Sequence, residues 1–337
     1  MSDAPAMLDP SAPPLATTSA TSSAATSAAV PDAAAGAGPS AHPGAAAGRR
    51  GGVEGAAPAA GGVAPPALTL DGWYAHHQIL SVDRAALRAL APATRAEAAR
   101  GMVAALEALA APAEGGWTAP VVLVGSVADV MLVHFRPTLD AVGVAQRRVL
   151  AEPLAAVLRP AMGTFLSVTE AGMYALTARL TAETAARGGT VGDAEYERVL
   201  AERLAAERAS PHVQRRLEPP APTAAMPYVC FYPMSKRRSP GQNWYALSMA
   251  ERSRLMWEHG RTGRRYAGRV SQIVTGAVGL DAWEWGVTLF AADPLEFKRI
   301  VTEMRFDEVS AQYAEFGAFY VGRVVAAAEW VAALGAG

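Results

Sequence analysis

From Leu68 onward, apolar positions recur with strand and helix periods, and the same order of elements appears twice. A strand over 68–80 leads to an Ala/Leu-rich helix over 85–110. Two strands follow, 121–124 and 129–135, joined by a tight turn containing Gly125 and Ser126. A helix opens at Pro137, and a strand near 164–169 completes a βαββαβ set. In the second half a strand over 228–232 precedes a helix whose start is marked by Ser248 and, three residues later, Glu251. That spacing is a capping box, which satisfies orphan amide donors. Strands near 267–274 and 284–290 come next. A helix then begins with Asp293 at the N-cap and Pro294 in the first turn, where a missing amide hydrogen costs nothing. A strand near 316–322 and an Ala-rich terminal helix end the chain.

The fold class is therefore α+β, with two ferredoxin-like βαββαβ repeats. The first occupies 67–222, including a charged helical stretch over 181–209 and an extended connector marked by Pro219, Pro220 and Pro222; the second occupies 223–337. Side by side, two such units can fuse their sheets into a barrel with helices outside and a pocket where the sheets face each other.

Composition changes the picture at the N-terminus. Residues 1–66 are almost all Ala, Ser, Thr, Pro and Gly, without the large apolar side chains that offset ordering entropy, and are read as a disordered tail. Asp3 and Asp9 sit where a secretory signal needs positive charge, and no leucine-rich run follows. No stretch has the roughly 18 consecutive apolar residues of a membrane span. The lone Cys230, inside an apolar strand pattern, fits a buried thiol in a reducing compartment, so the cytoplasm is expected. With 30 Lys+Arg against 31 Asp+Glu, no net positive field exists to hold nucleic-acid phosphates.

Several residues are candidates for chemistry, each with a plainer reading beside it. His259 stands at the end of the capped helix, where Gly260 is expected to stop it; its imidazole can enter a pocket or simply complement the helix dipole. Tyr228, Cys230 and Tyr232 share one face of their strand, and Val229 and Phe231 the other. Pro233 lacks a ladder hydrogen and is expected to end that strand, leaving Tyr232 at a rim with Lys236 nearby. A phenol so placed can transfer a proton and an electron; core packing for Tyr232 and solvation for the Lys/Arg cluster are the alternatives. Gln272 lies in phase with Val270 and Val274, so its amide needs a backbone partner or a ligand cavity. Trp244, Trp283 and Trp285 read first as core aromatics. After the tail no P-loop, zinc spacing, Gly-x-Ser-x-Gly elbow or HExxH is present.

Taken together, Leu70–Tyr74, Arg136-Pro137-Thr138, Tyr232–Lys236, Asn243-Trp244-Tyr245, His259-Gly260, Gly263–Gly268, Glu284–Phe290 and Glu303–Glu308 resemble the coproheme decarboxylases of the chlorite-dismutase-like superfamily. The resemblance runs from about Leu68 to the last strand and leaves the tail unmatched. It implies a dimeric α+β barrel within each subunit, usually in a homopentamer. It also implies oxidative removal of carbon dioxide from propionates 2 and 4 of iron coproporphyrin III (coproheme) by hydrogen peroxide, with haem b as product. The substrate is then its own redox centre. Contact with the coproporphyrin ferrochelatase belongs to the same implied pathway.

On that resemblance His259 is the proximal iron ligand, and Tyr232 is oxidised and, as a radical, abstracts hydrogen from the propionate. Lys236 orients the reacting carboxylate. Arg216 (with Arg215 beside it), Arg264, Ser310 and Trp244 anchor propionates, and Trp285 lies near the porphyrin. Gln272 matches the tyrosine-plus-glutamine branch of the bacilli type, whereas chlorite dismutases carry arginine there. Two other functions compete: a haem-binding carrier or sensor without turnover, and a chlorite-degrading or peroxidase-like relative.

Overall fold

The computed structural model describes residues 66–336; nearly all of the segment read as a tail lies outside the described residues. The first half runs β1 (Thr69–Val82), α1 (Arg84–Ala89), α2 (Pro92–Ala110), β2 (Trp117–Val124), β3 (Val130–Arg136), α3 (Leu139–Leu150) and β4 (Leu158–Gly172). The connector is α4 (Tyr174–Ala186), α5 (Ala194–Ala209) and α6 (Pro211–Leu217). The second half runs β5 (Tyr228–Lys236), α7 (Met249–Arg264), β6 (Val270–Gly276), β7 (Trp285–Ala291), α8 (Leu295–Met304), α9 (Glu308–Tyr313), β8 (Ala314–Phe316), β9 (Tyr320–Val324) and α10 (Ala327–Ala333).

Each half pairs its strands antiparallel in the same pattern: β4-β1-β3-β2 in the first and β9-β5-β7-β6 in the second. The β2–β9 and β4–β6 pairings join the halves and close eight strands into a barrel, as the repeat reading expects. Closure removes exposed strand edges, and β8 adds only a short ninth strand beside the end of β5.

No pocket lies where the sheets face each other. That space is filled by Ile79, Trp117, Met131, Phe135, Phe165, Phe231, Phe290 and Tyr320, with the His77 ring stacked on Phe231 at 4.0 Å. Inward positions are large and apolar on nearly every strand, so the interior packs solid; each such side chain contributes about 1.5–3 kcal/mol by burial. The site must therefore lie on an outer face. Over the first half α2, α3 and α10 cover that face through Met102, Leu106, Val149 and Trp330. Over the second, α8 covers it through Phe297, Ile300 and Met304.

Several local expectations change; the single strand expected near 316–322 is two, β8 and β9, with residues 317–319 between them. The expected single helix over 85–110 is two, because Pro92 forces Leu90 and Ala91 into extended backbone. Asp293 caps from one residue further out, its carboxylate accepting from the Leu295 amide at 2.9 Å. Helix α7 does not stop at Gly260 but runs to Arg264, since one interior glycine costs only about 1 kcal/mol and the following residues are helix-compatible.

Candidate functional site

Strand β5 carries the candidate residues Tyr232 and Lys236, and it does not end at Pro233. Up to Phe231 its neighbour on one side is β9; from Met234 onward it is β8. Pro233 falls between the two, where its carbonyl accepts from the Gly317 amide at 2.9 Å and no ladder bond from its own nitrogen is needed. The strand thus continues, and Tyr232 is buried in its middle (4% exposed) instead of standing at a rim. Alternation puts Tyr228, Cys230, Tyr232, Met234 and Lys236 on the outer face, the first three as expected. Tyr232 and Lys236 are about 13 Å apart along the strand, at 3.3 Å per residue.

The register extends this face sideways. Gln272 of β6 stands opposite Leu289 of β7, and Leu289 opposite Cys230 of β5. One row on are Val274, Val287 and Tyr232; the next is Gly276, Trp285 and Met234. Gln272, Trp285, Tyr232 and Lys236 therefore share one surface. Gln272 is exposed and Val274 is 37% exposed although both lie inside a strand with partners, so this part of the face is left open.

Burial governs the ionisation of this face. It pushes the Tyr232 phenol above its usual range, with the nearby Arg305 charge acting the other way, so the group is a neutral phenol at neutral pH. The ring stacks on Phe319 at 4.5 Å. Cys230 is a buried thiol pushed up to about 12 by desolvation, inert as expected. Lys236 is 7% exposed, not part of a solvated cluster. Its amine is pushed down to about 8 by burial, against the pull of the Asp307 and Glu284 carboxylates. Its Nζ sits 4.4 Å over the Trp244 ring, and among the described residues it has no hydrogen-bonded or ion-paired partner. A desolvated cation over an indole gains about 2 kcal/mol, less than a carboxylate partner would supply.

Across from the sheet, α7 is capped by Ser248, which accepts from the Glu251 amide as the capping box predicts. His259 lies on this helix with Nδ1 2.8 Å from Asp307 Oδ2. An Nδ1–H donating to that carboxylate leaves Nε2 with its lone pair free for a metal. Asp307 is the N-cap of α9 and also accepts from the Ser310 amide at 2.8 Å. Burial alone would raise the Asp307 carboxyl, but the hydrogen bonds from His259 and Ser310 hold it below the ordinary range. The same Asp307 carboxylate that bonds His259 thus also acts on the Lys236 amine through its charge.

Around the rim, Arg264 occupies the last turn of α7, and Arg216 lies on α6. Partial desolvation and the like charge of Arg264 push Arg216 down, and among the described residues neither has an acidic partner. Two guanidiniums without acidic partners can each donate paired hydrogen bonds to ligand carboxylates. At Gly263 of α7 a Cβ would make only ordinary contacts, with Met304 at 3.5 Å and Gln272 Oε1 at 3.9 Å, which places this end of the helix beside the β6 side chains.

Sequence reasoning gave no role to three residues. Asp307 orients His259, and its spacing to Ser310 signals only a cap. Glu284 accepts from the Lys236 amide at 2.7 Å and pairs with Arg238 at 3.4 Å. Glu170 of β4 accepts from the Trp285 indole at 2.8 Å. Glu170 and Glu284 reach residues distant in sequence, which no local pattern records.

The arrangement offers one imidazole lone pair, a buried phenol, an unpaired amine, two unpaired guanidiniums and an open apolar patch. Residues 95–325 match the profile of the family described as Chlorite dismutase. The fold is similar to that of a protein from Thermus thermophilus described as a novel heme-binding protein, at 37% identity and TM-score 0.65, covering 80% of this chain and 98% of that one. It is also similar to chlorite dismutase from Candidatus Nitrospira defluvii in complex with imidazole, at 17% identity and TM-score 0.58, covering 78% and 95%. With a profile match over more than half its length, this chain belongs to the chlorite dismutase family.

Proposed function

We propose that the protein is a haem-site enzyme acting as a hydrogen peroxide-dependent coproheme decarboxylase, converting propionates 2 and 4 of iron coproporphyrin III to vinyls and giving haem b. The observation that carries the reading is Tyr232 and Lys236 on one face of β5, both buried, in a second half that also holds an imidazole whose Nδ1 is bonded to Asp307 and whose Nε2 is free. A carrier needs a ligand for iron and an apolar wall; it has no use for a buried phenol and an unpaired amine on one strand face. The donor set fits the group: His259 Nε2 for iron, the open Gln272–Val274 patch for the ring, and Arg216, Arg264 and Lys236 for carboxylates.

For each side arm the balance is propionate plus H2O2 plus H+ giving vinyl, CO2 and two water molecules. The bound iron porphyrin supplies oxidising equivalents taken from peroxide. Tyr232 gives up its phenolic hydrogen and recovers one from the propionate β-carbon, and the arm then loses CO2 and a second electron. Lys236, protonated below about pH 8, holds the reacting carboxylate and delivers the proton each turnover consumes. Arg216, Arg264, Ser310 and Trp244 hold the remaining carboxylates, and Trp244 and Trp285 flank the ring. Ser310, whose amide is bonded to Asp307, acts through that carboxylate on His259. Gln272 supplies a neutral amide where chlorite chemistry calls for a cation. A cytoplasmic homopentamer receiving coproheme from its ferrochelatase completes this reading.

The test is anaerobic loading with coproheme, addition of stoichiometric peroxide, and mass spectrometry of the porphyrin. Stepwise loss of two carboxyl groups is expected, and Y232F should bind coproheme but not complete the first step. The description of the Thermus protein as heme-binding supports a second reading, a carrier or sensor. Intact binding with unchanged porphyrin mass would decide for it.

A further inference from the structure

Trp285 opens β7 on the outer face, opposite Met234, the residue between Tyr232 and Lys236 in the alternation. Its indole N–H donates to Glu170 Oε1 at 2.8 Å. Glu170 belongs to β4 in the first half, and β6 lies between β4 and β7. The crossing is made at Gly276, which pairs with Val168 on one side and Trp285 on the other. A Cβ at 276 would collide with the Glu170 carboxylate, so the absence of a side chain there is what lets the acid reach the indole. The second tryptophan of the site is held from the same half: Tyr174, the first residue of α4, meets the Trp244 ring edge-on at 6.3 Å. Both aromatic walls are thus braced by residues of the half that supplies none of the reacting groups.

An indole packed against a flat apolar face can rotate about two side-chain torsions, and one well-aligned hydrogen bond to its only donor removes that freedom. A half-buried carboxylate is a costly acceptor for a merely structural bond, since a neutral group would serve. We propose that Glu170 is a positioning residue for the porphyrin: by holding the Trp285 indole across Gly276, it fixes the wall beside Met234 and with it the placement of the carboxyl arms against Tyr232 and Lys236. This rests on the decarboxylase reading above.

The test compares wild type, E170Q and E170A as full-length chains. Glutamine keeps an acceptor oxygen; alanine removes it. E170A should show altered near-UV circular dichroism without ligand and an altered induced signal from bound coproheme. Its kcat should fall about tenfold with a smaller change in KM, as for other partners that orient a site residue. The intermediate with one vinyl and three propionates should accumulate. E170Q should restore all of these. E170A with an altered near-UV signal but wild-type kcat, KM and product distribution would reduce the bond to fold support and overturn the proposal. Should E170A not fold, W285F removes the donor and keeps an aromatic ring; wild-type kinetics there would overturn it equally. Wild type that binds coproheme without decarboxylating it would instead remove the underlying reading. In that case the induced circular dichroism still decides, and identical signals in all three proteins reject Glu170 as a positioning residue.

Discussion

Asp307 does more with one carboxylate than any other residue of the site: it caps α9, bonds His259 and raises the Lys236 amine against the effect of burial. Removing it should leave the imidazole free to rotate and without the acceptor for its Nδ1–H. D307A is expected to lower the iron–imidazole stretching frequency in resonance Raman spectra of the coproheme complex and to weaken coproheme binding about tenfold. An unchanged band would mean His259 is not the iron ligand. Lys236 gives a second expectation at this scale. Its amine titrates at about 8, and only the protonated form attracts a carboxylate, so coproheme affinity should be greatest below that pH and decline as pH rises through it. K236R, which stays charged, should bind evenly across the range; a wild-type affinity that does not vary from pH 7 to 9 would remove Lys236 from carboxylate binding.

At the scale of elements, β5 and α7 show what a sequence discloses and what it withholds. Alternation disclosed the shared face of Tyr228, Cys230 and Tyr232 because side-chain period is a local property of a strand. The continuation through Pro233 was hidden, because it depends on β9 giving way to β8 beside that residue, and the two join β5 from about 80 positions away. Gly260 likewise resembles a stop signal, yet the helix continues to Arg264, whose charge acts on Arg216. The grid of Gln272, Trp285 and Tyr232 required a register, which hydrophobic pattern alone does not set. Helix α7 also yields an expectation about stability. A Cβ at Gly263 would meet its neighbours only at ordinary contact distance, so G263A should raise stability by about 0.5–1 kcal/mol through helix propensity. G263L has no such room and should lower the melting temperature. If G263A proves as destabilising as G263L, the helix lies closer to Gln272 and Met304 than these distances allow.

For the whole molecule, the barrel and the layer over its first half bury three histidines as neutral rings. His77 fills the interior, bonded through Nε2 to Thr288 at 3.0 Å. His134 is held between Thr118 and Gln78 at 2.9 Å on each side, with His76 stacked on it and the buried Arg136 guanidinium bonded to the same Thr118. Desolvation pushes His76 down to about 4 and His77 to about 3, and with neighbouring positive charge holds His134 well below its ordinary value. In the unfolded chain all three titrate at about 6.5. Below that pH the unfolded state takes up protons that the folded state refuses, so stability present above about 6.5 is lost as pH falls toward 4. Each histidine contributes a slope of about 1.4 kcal/mol per pH unit in that window, and the three together about 4. Two such units remove about 8 kcal/mol, enough to exhaust a domain in the lower half of the usual 5–15 kcal/mol range, so at that stability the acid transition should come at about pH 4–5.5, ahead of general carboxylate protonation. Urea unfolding at pH 7, 6 and 5 measures the slope directly. H77F, which keeps a ring against Phe231 but cannot be protonated, should be less stable at pH 7 by about 1–3 kcal/mol because Thr288 loses its partner, yet lose about a third of the pH dependence. A wild-type stability that is flat between pH 7 and 5 would mean these rings reach water in the folded state, and that the barrel is more open than its packed interior indicates.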